Sequence, residues 1–237
     1  MNSSYDPSGF TPFAVTVAVV VLSAADALSV LLVERGVEPF KGDLALPGGF
    51  VLPSETLGDA AVRELQEETS VAPADLAGVH LEQLATFGRP DRDPRMRVVS
   101  VAYLALTAAR PDTSGASDAA AARWVPVDEA RSIPLAFDHL EILDVSVERA
   151  RAKLEYTTLA ATMAGPEFTL GELQNVYEVT WGQQLERANF RRKVLSTPGF
   201  VEATGHRRRG RRGGAPAATY RSAGASMLVP PIVRGVG

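Results

Sequence analysis

The chain of 237 residues contains no cysteine. Disulfides and thiolate metal sites are therefore excluded, and we expect a reducing, cytoplasmic location. Long apolar runs are also lacking. Residues 13–25 are largely apolar, but this run is too short to cross a bilayer and no basic segment precedes it, so it predicts a buried strand rather than a membrane anchor or signal peptide. Hydrophobic residues form 46% of the chain, enough for the core of one large or two modest domains.

Charge is distributed unevenly along the chain. Residues 168–237 contain 11 Lys or Arg and 4 Asp or Glu, a net charge of +7. The preceding 167 residues contain 13 basic and 24 acidic residues, a net charge of −11. This asymmetry predicts two modules with different partners. The alternative is that the second part is a disordered basic tail.

Glutamates recur at fixed intervals in the acidic part, and the intervals match one side of a helix. At about 100° per residue, one side of this helix is apolar and consists of Val62, Leu65 and Thr69. The opposite side consists of Glu64, Glu67 and Glu68. Clustered carboxylates are costly unless cations neutralise them, and oxygen ligands suit Mg²⁺ or Mn²⁺ bridging to substrate phosphates. The alternative is an acidic face that is merely solvated.

The spacing of these glutamates resembles the Nudix box, G-x5-E-x7-R-E-U-x-E-E-x-G-U, where U is aliphatic. The matching run is Gly49-x5-Glu55-x7-Arg63-Glu64-Leu65-x-Glu67-Glu68-x-Ser70-Val71, in which eight of nine specified positions agree. Ser70 departs from the family's glycine. Because this position follows the helix and favours a positive φ, serine is expected to cost about 1 kcal/mol of backbone strain rather than any chemistry.

The resemblance to Nudix hydrolases implies how the box would act. Glu64, Glu67 and Glu68 would hold Mg²⁺ or Mn²⁺, and one of them would help to activate water. Arg63 would orient Glu67, which lies four residues later. Together with the turn glycine Gly48, Gly49 would let the backbone approach the metal and the diphosphate. The resemblance therefore implies a metal site, catalytic residues and a ligand site in one place.

The apolar pattern of the first part fits the fold that this resemblance implies, an α/β class protein with a Nudix α/β/α sandwich. Strands are predicted at 14–22, 27–34, 81–87, 97–106 and 124–127, and helices at 58–69 and 137–159. We expect a mobile N-terminus over residues 1–12 and a Nudix domain over residues 13–160. Residues 223–237 are rich in Pro and Gly and are expected to be disordered.

A second stretch narrows the resemblance. Residues 87–103, with the sequence FGRPDRDPRMRVVSVAY, resemble the corresponding part of Nudix-related transcriptional regulators of NAD metabolism and their ADP-ribose-cleaving relatives. The resemblance makes Arg97 a candidate for the ligand phosphates and His139, within Phe137-Asp138-His139, a candidate for the ligand rim. A solvated loop is the alternative for this stretch. His80 and His206 are expected to have structural roles only.

The basic part has the pattern of a winged helix-turn-helix over residues 165–222. Gly165-Pro166 breaks the preceding helix, and Thr169 with Glu172 predicts a capping box. Helices are predicted at 169–182 and 187–196, followed by short strands at 200–203 and 218–221 around a basic tip. The segments FTL, VYE, WG and NFRRKV resemble the DNA-binding domain of the same regulator family.

Candidate DNA contacts follow from this pattern. Asn suits adenine and Arg suits guanine in the major groove, whereas Lys and a flexible basic wing suit phosphates or the minor groove. The candidates are Thr169, Asn189, Arg191, Arg192, Lys193, Arg207, Arg208, Arg209, Arg211, Arg212 and Tyr220. The alternatives are that the basic helix binds RNA, binds an acidic partner or binds nothing.

Two functional hypotheses result. In the first, the chain is a homodimeric regulator, a repressor of NAD-biosynthesis genes that senses ADP-ribose or a related nucleotide and binds double-stranded DNA. In the second, it is a Mg²⁺-dependent ADP-ribose pyrophosphatase, with or without a regulatory role, because all box carboxylates are retained.

Overall fold

The computed structural model describes residues 7–69, 79–108, 110, 122–210 and 213–235. Its first module is a mixed sheet with strand order β3-β2-β1-β5-β4, and β6 pairs with β2. The strands are β1 (Ala14–Ala24), β2 (Leu28–Glu34), β3 (Leu44–Ala45), β4 (His80–Phe87), β5 (Val98–Thr107) and β6 (Arg123–Pro126). The helices are α1 (Leu57–Thr69), α2 (Val127–Ala130), α3 (His139–Tyr156) and α4 (Leu159–Ala164). No helix in these described ranges is long and apolar enough to cross a membrane.

Strand β1 lies at the centre of the sheet and is buried on both faces. It pairs in parallel with β5 and antiparallel with β2. On one face Val17, Val19 and Val21 belong to the same core cluster as Leu65 of α1. On the other face the alternate residues join the core formed by α3, α4 and the second module. Burial on both faces explains why β1 reads as a continuous apolar run, and the expected α/β/α sandwich is confirmed.

The single helix predicted at 137–159 is wrong, because the structure has two helices there. Helix α3 ends at Tyr156, and Thr157 adopts an extended conformation with φ −124° and ψ 165°. Thr157 forms an antiparallel bridge with Met227 of the C-terminal segment. A contact more than 60 residues away in sequence therefore ends the helix, which local periodicity does not reveal.

The second module is the expected winged helix-turn-helix. It consists of β7 (Phe168–Thr169), α5 (Leu170–Trp181), α6 (Arg187–Ser196), β8 (Val201–Gly210) and β9 (Gly213–Ser222). The predicted capping box of Thr169 and Glu172 is present, and Gly182 ends α5 with φ 71°. Phe168, Tyr177 and Phe200 are fully buried in the core cluster that also covers one face of the sheet. The wing strands are longer than predicted.

The C-terminal segment, residues 223–235, lies along α3 instead of being disordered. Leu228 and Ile232 are 3% and 4% exposed. Their backbone N–H groups donate to Tyr156 O at 2.8 Å and Glu155 O at 2.9 Å, respectively. The expectation of a disordered tail is therefore wrong, because two apolar anchors in a sequence rich in Pro and Gly find partners on α3. At the other terminus, the described part of residues 1–12 contains a 3-10 turn, Pro7–Gly9.

Candidate functional sites: an acidic pocket and a basic helix

A cavity of about 410 Å³ opens at one end of the sheet, within the size range of small-molecule sites. It lies between the ends of β1 and β2, the Gly48-Gly49 turn, α1 and the start of α3. The lining residues are Thr16, Val17, Val33, Glu34, Arg35, Gly36, Val37, Ala45, Leu46, Gly48, Gly49, Phe50, Glu64, Glu68, Arg92, Asp93, Arg95, Ser100, Phe137 and His139.

The acidic wall of the cavity comes from α1. Glu64 is 8% exposed and lies against Gly49, so closely that a Cβ at Gly49 would overlap the Glu64 carboxylate. Glu68 Oε2 accepts a hydrogen bond from Gly48 N at 2.8 Å. Burial, assisted by the negative charges of Glu64 and Glu67, raises the pKa of Glu68 to about 7, against the opposing effect of the Gly48 hydrogen bond. A cation beside Glu68 would favour its charged form.

The third box carboxylate, Glu67, does not line the cavity. Its side chain is 59% exposed and accepts a hydrogen bond from Arg63 Nη1 at 3.0 Å. Arg63 also donates to Glu64 at 2.6 Å and binds both carboxylate oxygens of Glu55. The hydrogen bonds from Arg63 hold the pKa of Glu55 at about 2. Arg63 therefore contacts Glu55, Glu64 and Glu67, and the three metal-ligand candidates are not equivalent.

The acidic residues of α1 are hard oxygen donors that suit Mg²⁺ or Mn²⁺. Two of them, Glu64 and Glu68, line the cavity and lie against the Gly48-Gly49 turn. Across the described parts of the chain, no three His, Asp or Glu side chains are already gathered as a metal site. The carboxylates of α1 therefore fit Mg²⁺ or Mn²⁺ by their chemistry. Ser70, the departure from the Nudix box, lies outside the described residues.

The opposite wall is cationic and aromatic. The Arg35 guanidinium carbon lies 4.7 Å from the centre of the Phe137 ring, and that of Arg95 lies 5.7 Å from the same ring and 5.8 Å from the Phe50 ring. Burial, and then the neighbouring charge of Arg95, lowers the pKa of Arg35. Arg95 itself donates to both carboxylate oxygens of Asp93, at 3.0 and 2.8 Å. Sequence reasoning missed both arginines. Arg35 directly follows β2, at the sheet end where the glycine turn lies. This position at the end of a predicted strand could have identified Arg35 from the sequence as a candidate cavity residue.

The start of α3 contributes a buried polar pair and a histidine. His139, the residue predicted for the ligand rim, lines the cavity, and its Nδ1 accepts a hydrogen bond from Leu46 N at 2.9 Å. Burial lowers the pKa of His139 to about 3, so the ring is neutral and carries its proton on Nε2. Asp138 accepts two hydrogen bonds from Arg92, at 2.6 and 2.9 Å. Phe137 has φ 56°, an uncommon conformation for a bulky residue.

Arg97 is not part of the cavity lining, so the structure gives no support to its predicted contact with ligand phosphates. Its Nη1 donates to Val98 O at 2.9 Å, and its guanidinium lies 5.4 Å from the centre of the Phe13 ring. Arg95, two residues earlier, lines the cavity instead.

The second site is the outer face of α6. Asn189, Arg191 and Arg192 are exposed, Lys193 is half-buried, and Arg187 adds a further exposed cation that the candidate set lacked. Arg192 Nη2 donates to Asn189 Oδ1 at 2.8 Å. Glu186 caps the helix by accepting from Ala188 N and Asn189 N. This face combines amide and guanidinium groups, as a major-groove reading helix requires.

Three of the predicted DNA contacts are in different surroundings from those expected. Thr169 is 4% exposed and caps α5, and Tyr220 is 8% exposed and pairs with Phe168 in the sheet. Both predictions are corrected, because these side chains are committed to the interior of the module. Arg208 is half-buried and binds Glu172 of the same module. Arg207 and Arg209 are exposed on the wing, whereas Arg211 and Arg212 lie outside the described residues.

Comparisons with known proteins agree with this architecture. The NUDIX domain family matches residues 12–145, and the NrtR DNA-binding winged helix domain matches residues 161–222. The ADPR-responsive transcriptional repressor NtrR of Acinetobacter baylyi is 35% identical over 205 residues, which cover 85% of this chain and 80% of that protein.

Solved structures give the same picture. Shewanella oneidensis NrtR complexed with a 27mer DNA matches with a TM-score of 0.77 and 33% identity, over 92% of this chain and 99% of that one. The NUDIX domain of the same protein complexed with ADP ribose matches with a TM-score of 0.53 and 35% identity, over 62% of this chain and 95% of that one. The chain therefore belongs to the family of Nudix-domain proteins with an NrtR-type DNA-binding winged helix, and is homologous to its ADP-ribose-responsive repressors.

Proposed function

We propose that this protein represses NAD-biosynthesis genes by binding their operators, and that ADP-ribose or a related nucleotide controls this binding through the Nudix cavity. The observation that carries the proposal is the presence, on one continuous core, of a nucleotide-sized cavity and an exposed basic helix. Relatives supply independent support, since one homologous chain was solved with DNA and its NUDIX domain with ADP ribose.

The two walls of the cavity suit different parts of such a ligand. Arg35 offers positive charge to a diphosphate beside the Arg95–Asp93 ion pair, and the rings of Phe50 and Phe137 offer apolar faces to a base or sugar. Glu64, Glu67 and Glu68 would hold Mg²⁺ or Mn²⁺ on the acidic side. When bound, this cation would neutralise diphosphate charge between the acidic wall and the ligand.

For DNA, Asn189 and Arg191 would contact base edges in the major groove, and the wing arginines would contact the backbone. One reading helix covers only a short site, so a homodimer with two half-sites is required for useful specificity. Helix α3 supports a link between ligand and DNA. Its first residue, His139, lines the cavity, and near its other end Arg151 Nε donates to Thr180 O of α5 at 2.8 Å. Trp181 Nε1 donates back to Arg151 O at 3.1 Å.

The proposal is tested by titrating ADP-ribose into a complex of the full chain with labelled DNA from upstream of the organism's NAD-synthesis genes. We expect the DNA affinity to change at saturating ligand. Unchanged affinity would remove the sensor role, and absence of binding to this DNA would remove the operator assignment.

Two matched arginine variants locate the ligand. Arg35→Gln removes a cation that lines the cavity and should weaken ADP-ribose binding about tenfold or more, since a charge-assisted contact to phosphate is lost. Arg97→Gln removes a cation outside the cavity and should leave ligand affinity unchanged. Isothermal titration with ADP-ribose measures both, and equal losses in the two variants would contradict the proposed phosphate site.

Hydrolysis is the second candidate function, because Glu64 and Glu68 both line the cavity beside the glycine turn. If the protein releases AMP from ADP-ribose in the presence of Mg²⁺, Glu68→Gln or Glu67→Gln should lower the rate by orders of magnitude. Glu129→Gln on α2, which is exposed and remote from the box, is the control. No AMP release from the wild type would leave sensing alone.

A further inference from the structure

The wing residue Arg208 differs from its basic neighbours because it binds groups of the protein itself. Its Nη1 and Nη2 donate to the two carboxylate oxygens of Glu172 at 2.9 and 2.8 Å, and Nη2 also donates to Glu167 O at 2.9 Å. Arg207 Nη2 donates to Pro216 O within the hairpin, at 2.7 Å. Arg209 is exposed, and no hydrogen bond or ion pair joins it to another described residue.

The sheet order shows what this contact spans. The wing module has the order β7-β9-β8, and Arg208 on β8 lies opposite Ala217 on β9. Glu167 and Glu172 belong to the segment on the far side of β9. The Arg208 side chain therefore crosses β9 and ties the outermost strand to the start of α5.

The backbone ladder of the wing is irregular where this tie occurs. The pairing of β8 with β9 shifts register between Ala203 and Arg207, and again between Arg208 and Gly210. A register shift of this kind leaves a residue of the ladder unpaired and bends the strand. The bidentate contact of Arg208 with Glu172 at this point restrains the direction of the bent strand.

Glu172 connects the wing to the reading helix. The same carboxylate accepts a hydrogen bond from Thr169 N at 2.7 Å and completes the capping box of α5. Helix α5 then packs on α6 through Tyr177 and Phe190, whose ring centres are 5.4 Å apart. A short path of direct contacts therefore leads from Arg208 through α5 to the helix that would enter the groove.

We propose that Arg208 is a positioning residue, which fixes the direction of the wing relative to α6 and does not neutralise a DNA phosphate. This inference rests on the proposed DNA-binding function. Glu172 already neutralises the Arg208 charge at 2.8 Å, and a phosphate at the same guanidinium would have to displace it or lie beside its carboxylate. Arg208 therefore releases no counterion on binding, whereas Arg209 does.

The salt dependence of DNA binding separates the two roles. Arg209→Ala should weaken binding and reduce the slope of log affinity against log salt by about 0.9 for each phosphate contact that is lost. Arg208→Ala should weaken binding roughly tenfold at fixed salt and leave the slope unchanged. Arg208→Lys retains the charge but loses the bidentate fork, so it should bind as poorly as Arg208→Ala. A reduced slope in Arg208→Ala, or wild-type affinity in Arg208→Lys, would overturn the proposal.

Hydrogen exchange on the free protein tests, without DNA, whether the contact of Arg208 with Glu172 restrains the wing. Arg208→Ala should speed amide exchange in residues 204–210 and 213–219 and leave α1 unchanged, whereas Arg209→Ala should match the wild type throughout. Glu172→Gln retains a residue that can complete the capping box but loses the charged pair, so it should speed exchange in the wing without unfolding α5. Wild-type exchange in the wing of both Arg208→Ala and Glu172→Gln would refute the tie. Failure of the wild type to bind DNA would refute only the proposed function.

Discussion

At the scale of single residues, burial decides which polar side chains can be charged. His139 lies beside the cavity but is 8% exposed, and its Nδ1 is occupied by Leu46 N. Glu64 and Glu67 are three residues apart on one helix, yet only Glu64 lies in the cavity. Sequence spacing put all three box glutamates on one face of the helix. In the structure, Glu64 and Glu68 line the cavity and Glu67 is exposed.

Burial of His139 makes stability depend on pH. The folded pKa of about 3 lies below the unfolded value of 6.5, so below pH 6.5 the unfolded state binds a proton that the folded state does not. Stability should therefore fall as pH drops, by up to about 1.4 kcal/mol per pH unit over this window. In His139→Gln, urea unfolding at about pH 7 and pH 5 should differ by about 2 kcal/mol less than in the wild type. An identical difference in both proteins would show that His139 is not held neutral.

At the scale of elements, a buried ion pair joins the loop before β5 to the start of α3. Arg92 and Asp138 side chains are 4% and 1% exposed and form a bidentate contact. Arg95 follows in the same loop and lines the cavity with His139 from the first turn of α3. The pair thus sets the positions of two elements that together form one wall of the site.

Removing one charge of this pair should be costly. Asp138→Asn leaves Arg92 buried without its counter-ion, and we expect the free energy of unfolding to fall by about 3–5 kcal/mol. Asp128→Asn is the matched control, since the Asp128 side chain is 97% exposed and its ion pair with Arg131 should contribute less than about 1 kcal/mol. Chemical denaturation measures both variants. A loss in Asp138→Asn no greater than that in the control would contradict the importance of the pair.

At the scale of the whole molecule, the C-terminal segment connects the two modules. Ala225 N donates to Gly199 O, next to the end of α6, and Thr158 Oγ1 donates to Ala225 O at 2.6 Å. Further along, Leu228 is buried against the end of α3, and Arg234 binds Glu155 at 2.6 Å. The segment therefore returns from the winged helix to the helix that begins at the cavity.

Because the segment is anchored by its buried side chains, substitutions at two adjacent residues should differ markedly in their effect on the free energy of unfolding. Leu228→Ala removes a side chain that is 3% exposed and should lower the free energy of unfolding by about 2–5 kcal/mol. Val229→Ala, at 73% exposure, should have little effect. Urea denaturation of the full chain tests the pair. Equal stability of the two variants would show that the segment does not anchor the modules.

The sequence by itself determined the division into two modules, their fold classes and the position of the acidic and basic sites. Local rules were sufficient there: strand and helix periods, the spacing of the Nudix box, the Thr169–Glu172 capping box and the charge asymmetry are all properties of neighbouring residues. The match of both family models to these regions confirms the fold prediction.

Only the tertiary structure decided which of the candidate residues share a site. Arg35 and Arg95 meet at Phe137 although more than 40 residues separate each of them from it, Arg208 binds Glu172, and Thr157 ends α3 because Met227 pairs with it. These outcomes depend on contacts between distant parts of the chain, for which residue spacing contains no information. Periodicity specifies the face of an element, whereas packing of that face against another element specifies each side chain's partner.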